Sequence, residues 1–313
     1  MKSLLISMFL FAGLMYAVST NAQQSGVDST GLPGDNFSLQ GALQLFHDAA
    51  TIEDFEKALN TESNHVNNLD LDGDGDIDYV RVIDKTEKNA HVFILQVAVS
   101  EKENQDVAVI ELEKTGDANA VIQIVGDEDL YGDEVIVEPS SDMDTAPTNK
   151  GKGPDNDYDY SLALSLSHSL TYIHTTGVVV NVWLWPSVTY VYGPVYRPWI
   201  SPWRWHYYPV WWRPWHPLAW HVWHPFFHPY HRSFVVVGTH RVTYAHSIYR
   251  PYRTTSVTVH RRNVTTINNY HVHQTKTTVT GPRGGKTTVK KTTVRGPKGH
   301  VKAKKTTVTH RRH

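Results

Sequence analysis

The chain has 313 residues, with 30 Lys+Arg, 31 Asp+Glu and no cysteine. The missing cysteine excludes disulfides, thiolate metal sites and a lipid-anchored cleavage site. The near-neutral total conceals a split: Gln23 to Thr148 holds 28 Asp+Glu against 6 Lys+Arg, whereas Tyr160 to His313 holds 21 Lys+Arg and no acidic residue. Such asymmetry points to charged partners, or to pairing of the two halves with each other.

In chain order, residues 1–22 read as a secretory signal. Lys2 supplies the charge, Leu4–Val18 the apolar run, and Thr20-Asn21-Ala22 a small-residue cleavage site. The run is short for a membrane span, which predicts an exported protein of the periplasm, outer-membrane surface or extracellular space.

Residues 23–138 are predicted to be an acidic domain, and the part of the chain that folds by itself. Ser38 caps a first helix with Leu39, Leu43 and Phe46 on one face. Thr51-Ile52-Glu53-Asp54 opens a second helix, in which Ile52, Phe55 and Leu59 face inward. From Val80 the period changes to two, through His91–Val99, Val107–Glu113 and Ala120–Val125, with polar connectors at Lys85–Asn89, Glu101–Gln105 and Lys114–Asn119. The pattern predicts an α+β fold: an N-terminal antiparallel β-meander with two short helices and a calcium-loop hairpin.

The hairpin loop is Asp70-Leu71-Asp72-Gly73-Asp74-Gly75-Asp76-Ile77-Asp78. A hard cation takes six to eight oxygens at roughly 2.3–2.6 Å, and a loop delivers them from alternate positions around a glycine turn. Asp70, Asp72, Asp74, Asp76 and Asp78 are the predicted Ca²⁺ ligands, Asp76 through its backbone carbonyl, with Ile77 pinning the loop to the core. The run resembles the calcium loops of EF-hand, dockerin and FG-GAP proteins, which share D-x-D-x-D-G. It departs from the EF-hand at position twelve, where Arg81 stands in place of the bidentate Glu. The resemblance covers the loop alone, so it implies a cation and no overall fold. At about 1 mM free Ca²⁺ and a dissociation constant near 10⁻⁴ M, linkage gives roughly 1.4 kcal/mol, a modest structural staple. The order of acidic head, Trp/Pro/Tyr stretch and basic tail also resembles that of secreted Bacteroidota proteins, a resemblance that carries no activity.

Residues 139–159 read as an Asp/Gly/Ser-rich linker. Residues 160–235 form an uncharged run and then a Trp/Pro/His-rich stretch. All ten tryptophans lie between Trp183 and Trp223, with nine prolines from Pro186 to Pro229. Prolines this dense forbid a continuous helix or a central strand. The interleaved Arg197, Arg204 and Arg213 are placed to stack on the rings; exposed Trp/Tyr faces would bind sugars, headgroups or bases, and the equal alternative is a self-packed, low-complexity spacer. His221, His224, His228 and His231 suggest a second metal site for zinc or copper, although Pro225 and Pro229 break the helix that would align them.

Residues 236–313 are a basic tail of Lys-Thr-Thr-Val repeats and Gly-Pro-basic-Gly turns, predicted to be largely disordered for want of an apolar face. Arg283, Lys286, Lys290, Lys291, Lys298, Lys302, Lys304 and Lys305 are its predicted polyanion-binding residues. No H-E-x-x-H, G-x-S-x-G or phosphate-cradling glycine loop occurs, which predicts a protein that is not an enzyme. The sequence predicts a secreted or envelope protein whose calcium-stabilised head is held by its cationic arm on lipopolysaccharide, acidic polysaccharide or extracellular DNA. The alternatives are a His-rich transition-metal binder and a head-to-tail self-association.

Overall fold

The computed structural model describes residues 29–141, 179–270, 273–280, 286–295 and 301–311. The predicted signal segment, most of the linker and the start of the uncharged run lie outside these residues.

Helix α1 (Leu39–Asp48) begins where Ser38 Oγ accepts the Gly41 N–H at 3.0 Å. Helix α2 (Ile52–Leu59) begins where Thr51 Oγ1 accepts the Asp54 N–H at 3.0 Å. Each hydroxyl satisfies a donor that the first turn leaves open. Leu39, Leu43, Phe46, Ile52, Phe55 and Leu59 are all buried, on the faces that the spacing predicts.

The sheet has six antiparallel strands in sequential order: β1 (Val80–Glu87), β2 (Ala90–Ala98), β3 (Asn104–Gly116), β4 (Asn119–Gly126), β5 (Val135–Pro139) and β6 (Phe234–Val237). Strands β1 to β4 are the predicted meander. They run further into the polar connectors than the alternation suggests, because ladder hydrogen bonds are made by the backbone whatever the side chains. Only Lys88 and Asn89 separate β1 from β2, and Lys88 takes the left-handed conformation there (φ 52°). The short helix α3 (Glu128–Tyr131) links β4 to β5.

The C-terminal half is built into this sheet, which corrects two predicted boundaries. Pro139 ends β5, where it pairs with Phe234, and does not start a linker. The predicted boundary after residue 235 falls inside β6. At the opposite edge the Asp84 N–H donates to the Trp199 carbonyl at 2.7 Å, and the Ser201 N–H to the Val82 carbonyl at 3.0 Å. Both edges of the acidic meander, which would otherwise present unpaired backbone, are thus covered by the later half.

The same holds for the faces. One face, with Val80, Val82, Phe93, Leu95, Ile110, Leu112 and Ile124, packs on α1 and α2. Trp185 and helix α4 (Pro186–Val191), through Val188 and Val191, complete that core. The other face, with Val92, Ile94, Val109, Val125 and Ile136, packs on Ala245, Ile248 and Tyr249. The last three belong to a helix after β6 (Thr243–Tyr249); a one-turn helix (Trp220–Trp223) precedes it, and Val257–Tyr270 is the longest helix described.

The Trp/Pro stretch is extended and turning, as its prolines require, but it is not an exposed aromatic platform throughout. Trp185, Trp212 and Trp223 are buried, while Trp211 is exposed. Of the three interleaved arginines, Arg204 lies over the Tyr207 ring at 4.9 Å. Arg197 and Arg213 instead donate to backbone carbonyls of residues 196, 210 and 212.

The basic tail carries the remaining strands. Its described backbone forms a second antiparallel sheet, β7 (His273–Thr280), β8 (Lys286–Arg295) and β9 (Val301–Arg311). Thr-Thr-Val runs at 277–279, 287–289, 292–294 and 306–308 supply residues that favour the extended conformation. Among the described residues no helix is long and apolar enough to cross a membrane.

Candidate functional site

The acidic loop joins the Asn67–Leu69 segment to β1 and is shaped by its own carboxylates. Asp70 accepts the Gly73 N–H at 2.7 Å and the Gly75 N–H at 3.1 Å. Asp72 accepts the Asp74 N–H at 3.0 Å, and Asp74 accepts the Asp76 N–H at 2.9 Å. The chain reverses at Gly73 and Gly75, with φ of 75° and 91°, a region open to glycine at no steric cost. Ile77 is buried and anchors the loop, as predicted.

Three of the five predicted ligands converge. Carboxylate oxygens of Asp70, Asp72 and Asp78 lie within 4.8 Å of one another. Asp74 and Asp76 are outside that group, and Asp76 is instead 3.0 Å from His216 Nδ1. Asp78 is 6% exposed and accepts the Leu71 N–H. Burial first, and then Asp72, Asp70 and Asp74, push its carboxyl up to about 8. Burial likewise raises Asp72. A divalent cation among the three would offset both the desolvation and the mutual repulsion. The three carboxylates form an all-oxygen donor set with backbone turns beside it, the kind of set a hard divalent cation takes.

The loop is held from outside by the C-terminal half. The Ile77 N–H donates to the Trp215 carbonyl at 2.8 Å, and Arg262 Nη1 to the Leu71 carbonyl at 2.8 Å. Asn68 and Leu218 bond reciprocally, amide to carbonyl at 3.0 Å and N–H to side-chain oxygen at 2.8 Å. A cavity of about 490 Å³ opens beside Asp70, Leu71 and Gly73, with Arg262 on its wall.

The predicted histidine set is arranged differently. His224 and His228, on a 3₁₀ turn (His224–Tyr230), pack T-shaped with centroids 5.3 Å apart, and His231, just after the turn, is tilted against His228 at 5.8 Å. Burial and His228 lower His231 to about 4. His221 sits on the preceding helix. None of the four belongs to a converging metal-ligand group among the described residues. Of the predicted polyanion-binding residues, Arg283 and Lys298 lie outside the described residues. Lys286, Lys290 and Lys291 lie on β8, and Lys302, Lys304 and Lys305 on β9.

Sequence reasoning missed a second converging group, Glu111, His240 and His246. His240 and Glu111 are 129 positions apart, so no local spacing announces them. It also missed Glu56, a 1% exposed carboxylate bonded to Tyr79, Val82, Trp199 and Ser201. Its position four residues after Ile52, on the inward face of α2, is a signal that could have found it.

Comparison of the chain with family models, with curated proteins and with solved structures found no match.

Proposed function

We propose that this is a non-catalytic exported protein in which a calcium-stapled acidic scaffold, wrapped by its own aromatic arm, presents a basic tail to anionic polymers. The observation that carries this reading is the destination of the charges. Three of the arm's cations engage the acidic half: Arg253 on Asp127 and Asp129, Arg241 on Glu138, and Arg262 on the acidic loop. Residues 271–313 then add 12 Lys+Arg with no acidic residue. A cationic segment of that density binds polyanions by counterion release, with little regard to sequence. Lipopolysaccharide phosphate, acidic polysaccharide and extracellular DNA are the ligand class that an exported protein meets. Calcium supports the scaffold through Asp70, Asp72 and Asp78.

The test compares the full chain with a chain ending at Tyr270, titrated against lipopolysaccharide and duplex DNA over a series of salt concentrations. The full chain is expected to bind with affinity falling steeply as salt rises, and the shortened chain to lose that binding. Salt-independent binding, or equal binding by both, refutes the tail's role. The calcium component is read separately. Adding about 1 mM Ca²⁺ to the chelated full chain should raise its melting temperature by roughly 3–6 °C, and Asp72→Asn should abolish the rise.

A further inference from the structure

The sheet face under Thr243–Tyr249 holds a donor set that the acidic loop lacks. Glu111, in the middle of β3, is fully buried. Its Oε2 lies 2.5 Å from His240 Nε2 and its Oε1 lies 2.8 Å from His246 Nδ1. His240 follows β6, and His246 is on the covering helix. The two imidazole rings are 4.1 Å apart between centroids. One atom from each of the three residues falls within 4.8 Å of the others. The histidine side chains are 18% and 20% exposed, so an ion has access from solvent to a carboxylate that is itself shut off.

The surroundings hold these ligands in place. Gln123 Oε1 accepts the N–H groups of Arg241 and Val242, fixing the backbone beside His240. Glu113 accepts the Ala245 N–H at 2.8 Å, fixing the backbone beside His246. Arg241 is engaged by Glu138 and so does not neutralise Glu111. Such outer contacts orient metal-binding side chains.

We propose that Glu111, His240 and His246 form a zinc site, with water in the fourth position. Two imidazole nitrogens disfavour calcium and magnesium, which take oxygen, whereas two histidines and one carboxylate match Zn²⁺ with an open coordination position. The site goes beyond the polyanion-binding reading and does not depend on it. Its ion would clamp β3 of the acidic half to two elements of the basic half.

The experiment is calorimetric titration of the metal-free full chain with ZnCl₂ in the presence of excess Ca²⁺, repeated for His240→Gln, His246→Gln and the double variant His224→Gln/His228→Gln. All four proteins are first checked for cooperative melting, which the partial exposure of His240 and His246 should preserve. The wild type is expected to bind one zinc ion per chain. His240→Gln and His246→Gln should each weaken binding at least as much as the roughly 10–100-fold that losing an outer-shell partner causes. The double variant should bind as the wild type does, and Co²⁺ should give a visible absorption band that His246→Gln lacks. Absence of zinc binding by the wild type would show the cluster to be a hydrogen-bonded histidine–carboxylate group alone. Affinity unchanged in His240→Gln and His246→Gln, or lost in the His224/His228 variant, would place the metal elsewhere; either result overturns the assignment.

Discussion

Buried carboxylates of the acidic half are the residues on which the two halves meet. Glu56 receives Tyr79 Oη at 2.9 Å and the Val82 N–H at 2.8 Å from its own half, and Trp199 Nε1 and Ser201 Oγ, both at 2.9 Å, from the other. Asp106 does the same with Gln96, Tyr249 and the Thr254 N–H. Glu56→Ala leaves four donors without their acceptor and is expected to cost about 3 kcal/mol or more in urea unfolding. Asp127 offers a pH test. It is 5% exposed and bonds Arg253 at 2.6 Å, yet burial outweighs the guanidinium and pushes its carboxyl up to about 6, from 3.8. The folded chain therefore holds that proton more tightly than the unfolded chain, so the stabilisation is complete below the unfolded value and is lost as pH rises through about 6. Urea midpoints of wild type and Asp127→Asn from about pH 4 to pH 7 should show this decline in the wild type and a flatter profile in the variant.

At the level of elements, the parts readable from sequence are those governed by neighbours in the chain. The caps at Ser38 and Thr51 and the inward faces of α1 and α2 depend on contacts within four residues. Thr51→Ala should cost about 1 kcal/mol. The loop turns are equally local. Gly75 has φ of 91° and open space where a Cβ would go, so Gly75→Ala should cost about 1–2 kcal/mol through backbone strain alone. Thermal melting of each variant checks both values. Strand β5 escaped notice because Val135–Pro139 is short, carries Glu138 and ends in proline, and its outer partner is Phe234–Val237. The loop's ligand set was half legible. Aspartate spacing marked the turn, whereas the contact of Asp76 with His216 comes from the other half of the chain.

For the molecule as a whole, the acidic half lacks its own edges and half of its cover. Residues 199–201 close one edge of its sheet and β6 the other, while the helix Thr243–Tyr249 covers the second face. A fragment of residues 23–148 is therefore expected to show no cooperative melting with or without calcium, in contrast to the sequence-based expectation of a self-folding head. A chain ending at Tyr270 should melt cooperatively near the temperature of the full chain. Circular dichroism of the two would settle the matter.

Local chemistry alone determined the helix caps, the strand period, the glycine turn of the acidic loop and the opposition of charge between the halves, since each needs only residues a few positions apart. Tertiary structure decided where that opposition is spent. It buried Trp185, Trp212 and Trp223 while leaving Trp211 exposed, and it joined Glu111 to two histidines far along the chain. Burial is a property of the assembled core, and a carboxylate's partners are known only once distant segments have closed over it.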